Sequence, residues 1–326
     1  MSETLTYKVQ LYNDDIKNIF KGVYNDFKNK AFSEYKFELA PLDYDDFVQS
    51  INDGLIQCLV LLEDEIPTAF MVYTTEISEA LELNLIHCIG DENLNHKRRI
   101  LMDKFMEINA DIIKNKVVTY PMLGSQQKFV EEIPNYGFKL IGLAVERFQF
   151  GNIKSIELYK AYKQPVLPQF YELVNWDIKF EQSIINVINN AFKDTSDALF
   201  DPRFASKEGS EDILNKITSG IYGNFLPECT TVLLYKGNPV GICLANITAG
   251  KIANIPLVGI LKEHCSKGLG KAMLYNTLKL LIDCHLSHLS EVNVSTETNN
   301  YPALQMYRRL GFKEDYNYTQ AYRPVN

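Results

Sequence analysis

The sequence predicts an α/β fold, α+β in some classifications, arranged as two halves that repeat one another. Three observations support this prediction. Short apolar strands alternate with longer helical patterns along all 326 residues. The length exceeds that of one ordinary domain. Two short stretches of the first half recur in the second half at nearly the same separation.

The repeat is clearest around a predicted hairpin. "VLLEDEIPTAFMVY" begins at Val60, and "VLLYKGNPVGICLA" begins 172 residues later, at Val232, so that one proline of each stretch falls at the same place. Further on, "NYGF" and "RLGF" are 174 residues apart. Because prolines interrupt the pattern in "YKQPVLPQF", we place the boundary there, with domains at 1–165 and 166–326.

In the second half, apolar residues that alternate with polar ones predict strands, and apolar residues spaced three and four apart predict helices. The turn "KGNP" between two apolar runs predicts the hairpin. The predicted elements, in order, are a strand (172–180), a helix (181–194), a hairpin (230–247), a strand (252–261), a helix (271–286), a strand (290–299), a short helix (301–311) and a final strand (316–323).

Composition argues against several classes of protein. The net charge of −8 disfavours a broad nucleic-acid interface. No apolar run reaches the roughly 20 residues of a membrane helix, and the first residues lack the pattern of a signal peptide. The six cysteines are scattered without a C-x-x-C pair, which is typical of free thiols. We therefore expect a cytoplasmic protein without nucleic-acid or membrane partners; no pattern indicates an oligomeric state.

Two glycines in "CSKGLGKAM" are the first candidate for a binding site. Gly268 and Gly270 follow a predicted strand and open a predicted helix, where free N–H groups and the helix dipole attract anions. Lys267 and Lys271 add positive charge. A P-loop and a dinucleotide fingerprint both fail, because the positions that need glycine or hydroxyl residues hold others. A turn with close helix packing is the alternative interpretation.

A second pattern follows one helix and one strand later. In "NNYPALQMYRRLGF", Asn300, Ala303, Tyr307 and the final Gly-Phe pair fit N-x-x-A-x-x-x-Y-x-x-x-G-F. With the glycines, this resembles the GNAT superfamily of acyl-coenzyme A-dependent N-acyltransferases over residues 170–326. Two positions depart from the family pattern: Cys265 replaces the usual Gln or Arg, and Lys262 replaces a frequent proline.

The resemblance implies two tandem GNAT-like domains, each with a mixed central sheet flanked by helices, and acetyl-CoA as co-substrate. It implies that a backbone N–H of the strand before the glycines, which diverges from its neighbour, bonds the acyl oxygen. It also implies that amides of the glycine loop hold the pyrophosphate, and that Asn300 bonds the pantetheine arm, although Asn300 also fits a helix cap. The implied cofactor-binding residues are Val258, Gly259, Ile260, Ser266, Lys267, Gly268, Leu269, Gly270, Lys271 and Asn300.

Tyr307 is the predicted general acid. A phenol has a pKa of about 10 and can protonate a thiolate whose conjugate acid has a pKa of about 8.5. A structural aromatic is the alternative, since the chain has 19 tyrosines. The general base has no candidate: Ser295 stands where some relatives have a glutamate, and His264 is interpreted as a surface-loop residue.

A metal site is not expected. Cys284, His285 and His288 are close in sequence, but zinc usually takes four ligands and no second cluster accompanies them.

In the first half, Asn95 and Lys97 replace the two glycines and Ile133 replaces the tyrosine, so side chains block approach to a pyrophosphate. We expect this half to bind no acyl-CoA, to complete the core and to wall the acceptor cleft.

The predicted function is N-acetyl transfer from acetyl-CoA to a primary amine of a small molecule or peptide, by direct transfer. Two alternatives stay open. The absent base and Cys265 fit a relative that binds acyl-CoA without catalysis. Aminoacyl transfer from a charged tRNA is known for other tandem proteins of this fold, but the acidic composition argues against it.

Overall fold

The structure is a computed structural model that describes residues 5–38, 40–75, 79–90, 93–163, 165–285 and 288–325. Two compact units divide the chain. The first combines residues 1–141 with residues 318–326, and the second comprises residues 142–317.

Strands and helices alternate along both units. In chain order they are β1 (Tyr7–Leu11), α1 (Lys17–Tyr35), α2 (Tyr44–Asn52), β2 (Gln57–Glu63), β3 (Ile66–Thr74), β4 (Ala80–Cys88), α3 (Leu94–Ile108), α4 (Ala110–Ile113), β5 (Val117–Met122), β6 (Lys139–Gln149), α5 (Ile153–Ala161), β7 (Tyr171–Asn175), α6 (Glu181–Phe192), α7 (Asp197–Phe200), α8 (Lys207–Thr218), β8 (Asn224–Phe225), β9 (Thr231–Tyr235), β10 (Asn238–Cys243), β11 (Asn246–Ala249), β12 (Ile252–Asn254), β13 (Val258–Ile260), α9 (Leu269–His285), β14 (Glu291–Glu297), α10 (Tyr301–Arg309) and β15 (Lys313–Arg323).

The first unit is a mixed sheet with helices on both faces. Its strand order is β1-β2-β3-β4-β5-β15, in which only the β4–β5 pair is parallel. Successive residues of a strand point to opposite faces. Leu61 of β2 accordingly packs with Leu101 and Phe105 of α3, whereas Val60 packs with Phe20 of α1. Both faces are buried, so the strands of this unit read as continuous apolar runs.

The second unit contains two sheets, ordered β6-β14-β12-β11-β8 and β13-β10-β9-β7. The β12–β14 pair is parallel, and the other pairs are antiparallel. Leu233 of β9 packs with Leu274 and Leu278 of α9, whereas Val232 packs with Ile188 of α6. The predicted mixed sheets flanked by helices are therefore present in both units.

Each compact unit contains a strand that comes from the other half of the sequence. Residues 143–149 of β6 pair with residues 291–297 of β14 in the second unit. Residues 319–323 of β15 pair with residues 118–122 of β5 in the first unit. The units consequently divide at residues 141/142 and 317/318, not at the sequence-based boundary of 165/166.

Most predicted elements of the second half are present with shifted ends. The hairpin turns through two left-handed residues, Lys236 (φ 50°) and Gly237 (φ 81°), as a two-residue hairpin requires. The predicted strand 172–180 already ends at Asn175. The predicted strand 252–261 is two strands, β12 and β13, interrupted at Pro256, which has no N–H to donate to a ladder.

Candidate active site

A wedge opens in the second unit where one segment leaves one sheet for the other. β12 pairs with the first half of β14, and its last bond of this kind joins the Ile255 N–H to the Asn293 carbonyl at 2.9 Å. After Pro256 the chain pairs with β10 instead. β13 therefore diverges from the second half of β14, as the resemblance implies.

The free edge of β13 carries backbone amides. Leu257 accepts a backbone hydrogen bond from the β10 side at 3.0 Å, and Leu261 donates one to that side at 2.9 Å. Because backbone groups alternate along a strand, those of Gly259 also face β10. The N–H groups of Val258 and Ile260 then face the opposite edge, and β13 is the terminal strand of its sheet.

The glycine loop ends at the N-terminus of α9. Gly268 is the residue before the helix, and its carbonyl accepts from the Ala272 N–H at 3.1 Å. The N–H groups of Leu269, Gly270 and Lys271 lie in the first turn, where a helix offers no acceptor of its own. Donors of this kind attract anions.

Gly268 and Gly270 differ in whether the local structure requires a glycine. Gly268 has a φ of 75°, a left-handed conformation that disfavours side chains, although a β-carbon there would meet no atom within 4 Å. A β-carbon on Gly270 would meet Ile260 Cδ1 at 3.6 Å and Met306 Sδ at 3.8 Å, both ordinary contacts. A turn explains Gly268, but close helix packing does not explain Gly270.

Side chains beside the loop form a small cluster. His264 and the Tyr171 hydroxyl are hydrogen-bonded at 2.7 Å, and Lys267 donates to the same hydroxyl at 3.3 Å and to the Glu263 carbonyl at 2.8 Å. Cys265 is exposed beside them. Partial burial raises the pKa of its thiol. His264 therefore lies in the segment before the glycine loop and is hydrogen-bonded to Tyr171 of β7.

A cavity of about 170 Å³ occupies the wedge between β13 and β14. Apolar side chains form much of its wall, and among the described residues its lining includes no lysine, arginine or histidine. The lining comes from Phe192 and Asp197, from residues 255–258 and 294–297, and from Asn300, Ala303, Met306 and Tyr307.

Tyr307 reaches this cavity from the core. Its side chain belongs to α10, is 4% exposed and packs at 5.8 Å, ring to ring, on Phe312. None of the described residues forms a hydrogen bond with its hydroxyl. Burial, and then the charges around Cys243, Glu146 and Asp197, raise the pKa of Tyr307. The phenol is therefore neutral, lines the cavity and has a hydroxyl available to a ligand.

Two carboxylates that the sequence analysis did not select also line the cavity. Glu297 ends β14, two residues after Ser295, so both side chains lie on one face of the strand. Burial, and then the charge of Asp197, raise the pKa of Glu297. Burial also raises the pKa of Asp197, although Thr195 donates a hydrogen bond to this carboxylate at 3.0 Å. Alternation along β14 could have pointed to Glu297; no local pattern marks Asp197.

Glu146 is a buried carboxylate near Tyr307. It lies on β6 opposite Val294 of β14, it is fully buried, and its nearest cation is Arg308, with Nε at 3.4 Å. Burial raises the pKa of Glu146, and the Arg308 charge opposes that rise. Because Glu146 lies on β6, the first half of the sequence contributes this carboxylate to the second unit.

Asn300 is a helix cap. Its side-chain oxygen accepts from the Ala303 N–H at 3.4 Å and its amide donates to the Thr296 hydroxyl at 3.0 Å. The structure therefore confirms that Asn300 caps α10. A bond from Asn300 to pantetheine stays a prediction.

The first unit has side chains at the corresponding helix tip. α3 begins after Asn93, which is left-handed (φ 57°) as Gly268 is. Aligned by helix start, Asn95 corresponds to Gly270, and Lys97, the position predicted from the sequence offset, lies two residues further on. Lys97 pairs with Glu63 at 3.0 Å. Ile133, which stands in place of the tyrosine, is fully buried.

Neither a metal cluster nor a membrane helix is found in the part of the chain that the structure describes. No group of three or more His, Cys, Asp or Glu side chains there could hold a metal ion. Of the three candidate ligands from the sequence, the side chain of His285 lies outside the described residues. No helix there is both long and apolar enough to cross a bilayer.

Comparison with known proteins agrees with this geometry. The model of the acetyltransferase (GNAT) family matches residues 196–312, which contain the wedge, the glycine loop and α10. Residues 196–312 are therefore similar to a GNAT domain. The match supports acyltransferase chemistry for these residues. Curated proteins show no significant match to the chain.

Solved structures extend the likeness to the whole chain. A GCN5-related N-acetyltransferase from Sphaerobacter thermophilus matches with a TM-score of 0.68 at 14% identity, covering 99% of this chain and 98% of that one. A tandem GNAT protein from the clavulanic acid biosynthesis pathway matches with a TM-score of 0.62 at 12% identity, covering 99% of each chain. At these identities the likeness concerns the fold, and the fold is that of tandem GNAT proteins.

Proposed function

We propose that this chain transfers an acetyl group from acetyl-CoA to a primary amine of a small molecule or peptide, directly and without a metal. The observation that carries the proposal is the cavity in the wedge, which brings Tyr307 and two carboxylates next to the free edge of β13. The proposed compartment is the cytoplasm, because the cysteines are unpaired.

The cofactor-binding role belongs to main-chain nitrogens. The amides from Ser266 to Lys271 hold the pyrophosphate, because the first turn of α9 offers free donors and Gly270 has no side chain in the way. The outward N–H groups of Val258 and Ile260 bond the acyl oxygen and the pantetheine arm, in the manner of an added strand. Asn300 can contribute its remaining amide hydrogen to the same arm.

Acyl transfer needs one base and one acid, and the cavity offers both. Glu297 takes a proton from the ammonium form of the acceptor, and the neutral nitrogen attacks the thioester carbonyl. A C–N bond forms, the C–S bond breaks, and Tyr307 protonates the departing thiolate. The acylated nitrogen then gives its extra proton to the Tyr307 phenolate, which restores the phenol and leaves a neutral amide. Burial supports the role of Glu297, because a raised pKa makes this carboxylate a stronger base. Burial also keeps the Tyr307 phenol protonated until the thiolate departs, although the raised pKa makes it a weaker acid.

The test is a thiol-release assay with acetyl-CoA and a panel of primary amines, with mass spectrometry of the products. Acetylated amine and stoichiometric free coenzyme A are the expected products. Coenzyme binding without any acetylated product would instead support a non-catalytic binding protein. Aminoacyl transfer would require a product that forms only when charged tRNA is supplied.

A further inference from the structure

We infer that the acceptor is a slender aliphatic amine that carries a second cationic group, of the diamine class, and that Asp197 recognises the second cation. This inference rests on the proposed function, since it names the substrate class of the same cavity. Four observations support it: the number of carboxylates, the absence of a basic lining residue among those described, the shape of the cavity and the hydroxyl of Tyr307.

The charge balance of the cavity calls for a cation from outside. One carboxylate is enough to take a proton from an amine, and Glu297 lies nearest in sequence to the capped start of α10. Asp197 is a second carboxylate from another element, the first residue of α7. Because none of the described lining residues is basic, two carboxylates repel one another until a ligand supplies positive charge.

The neighbouring contacts of Asp197 leave it available for this role. Its one hydrogen bond from another described side chain comes from Thr195, at 3.0 Å, and that donor is neutral. Other carboxylates of the same segment are neutralised: Asp201 and Asp212 both pair with Arg203, at 2.7 Å and 3.1 Å. Asp197, which lines the cavity, therefore has no cationic partner among the described residues.

Size and polarity select a methylene chain between the two charges. A cavity of about 150 Å³ holds one benzene molecule, so the observed 170 Å³ has room for an acetyl group and a narrow chain. Apolar side chains such as Phe192, Leu257 and Met306 suit methylene groups. The Tyr307 hydroxyl, buried and without a partner among the described residues, marks the reacting end.

The experiment compares diaminobutane with aminobutanol, which has the same chain length but one charge fewer. With acetyl-CoA and the full-length protein, kcat/KM for the diamine should exceed that for the amino alcohol by about ten- to a hundredfold, the factor typical of a hydrogen bond to a charged group. In Asp197→Asn most of this preference should disappear, mainly through KM. Asp194→Asn, an exposed aspartate of the same segment, is the matched control and should keep the preference.

Each outcome separates the inference from the proposed function. Equal kcat/KM for the two amines in the unaltered protein would overturn the diamine class while acetyl transfer stood. A preference that survived in Asp197→Asn would overturn the assignment to Asp197. If neither these nor other amines were acetylated, the proposed function itself would be wrong. The first comparison uses no variant, so a folding defect in Asp197→Asn cannot obscure it.

Discussion

Gly270 lies against Ile260 with room to spare: a β-carbon on Gly270 would stand 3.6 Å from Ile260 Cδ1. Gly270→Ala should therefore fold normally, and its free energy of unfolding should stay the same or rise by up to about 1 kcal/mol, since alanine favours helix over glycine. The new methyl group would stand beside the first-turn amides to which the proposed function assigns the pyrophosphate. We expect the dissociation constant for acetyl-CoA, measured by calorimetry, to rise by about tenfold or more through lost hydrogen bonds to charged oxygen.

The matched control for this variant is Gly22→Ala. Gly22 lies within α1 of the first unit, and a β-carbon there would meet no atom within 4 Å. It should change stability in the same direction without changing coenzyme affinity. Unchanged affinity in Gly270→Ala would remove the helix tip from the proposed site.

Tyr307→Phe tests the general acid. Because no described residue bonds the Tyr307 hydroxyl, its removal should change the thermal midpoint little, while kcat falls by the roughly 10²–10⁴-fold typical of a lost acid. Coenzyme affinity should persist. Tyr301→Phe, on the exposed first turn of the same helix, should leave kcat unaltered. A rate in Tyr307→Phe equal to that of the parent would assign this tyrosine to the core alone.

The pH dependence of turnover tests Glu297. A base acts only when deprotonated, so kcat/KM should fall as pH drops through the pKa of Glu297, which burial and Asp197 raise above its ordinary value. Asp197→Asn removes one cause of that rise. The acidic limb of the profile, recorded with one amine, should therefore move to lower pH, whereas Glu297→Gln should abolish the limb and most of the rate. A limb that stayed in place in Asp197→Asn would show that Asp197 does not act on the base.

Local patterns predicted the parts of the site that are close in sequence. The strand, loop and helix around Gly268 and Gly270 are as the sequence indicated, because a left-handed residue before a helix and an apolar stripe are local features. The position of Tyr307 relative to Asn300 follows from one capped helix. Asp197 and Glu297 escaped prediction because they are 100 residues apart, and only tertiary packing brings them to one cavity.

Strand pairing is the second feature that the sequence did not predict. Alternation in β6 and β15 predicts that each is a strand, but alternation carries no information on its neighbour. The pairing of Val294 with Glu146 and of Ala321 with Tyr120 is non-local, so the alternation within each strand does not reveal its partner. The prolines near residue 165 do interrupt the chain after α5. Strand pairing, however, places β6, which precedes these prolines, in the second unit and residues 318–323 of β15, which follow them, in the first.

The strand exchange predicts which fragment of the chain can fold. Residues 142–317 contain the part of β6 that pairs with β14, residues 143–149, whereas residues 166–326 lack β6. Without residues 142–165 the core loses Phe148 and Phe150, each a contribution of about 3–5 kcal/mol if truncated singly, and the edge of β14 is exposed. We expect fragment 142–317 to unfold cooperatively in urea, followed by circular dichroism, and fragment 166–326 to aggregate or unfold without a transition. Equal behaviour of the two fragments would contradict the exchange.

His87 makes the first unit sensitive to acid. Its ring is fully buried, with Nδ1 at 2.6 Å from the Tyr35 hydroxyl and Nε2 at 3.0 Å from Asp26. Burial lowers the pKa of His87 to about 4, and the attraction of Asp26 only partly opposes it. An unfolded histidine titrates near 6.5, so between these values the unfolded state binds a proton that the folded state does not.

Stability should therefore be highest above pH 6.5 and should fall as pH drops toward 4. The free energy of unfolding of the first unit should be lower by about 2 kcal/mol at pH 5 than at pH 7.5 through this residue alone. Hydrogen exchange of β4 and α1 at the two pH values measures the difference. His87→Gln should be less stable at pH 7.5, because it loses the ring contacts, but its stability should change less between the two values. His288→Gln, an exposed histidine of the second unit, should keep the full difference. An equal difference in His87→Gln would show that other groups cause the acid sensitivity.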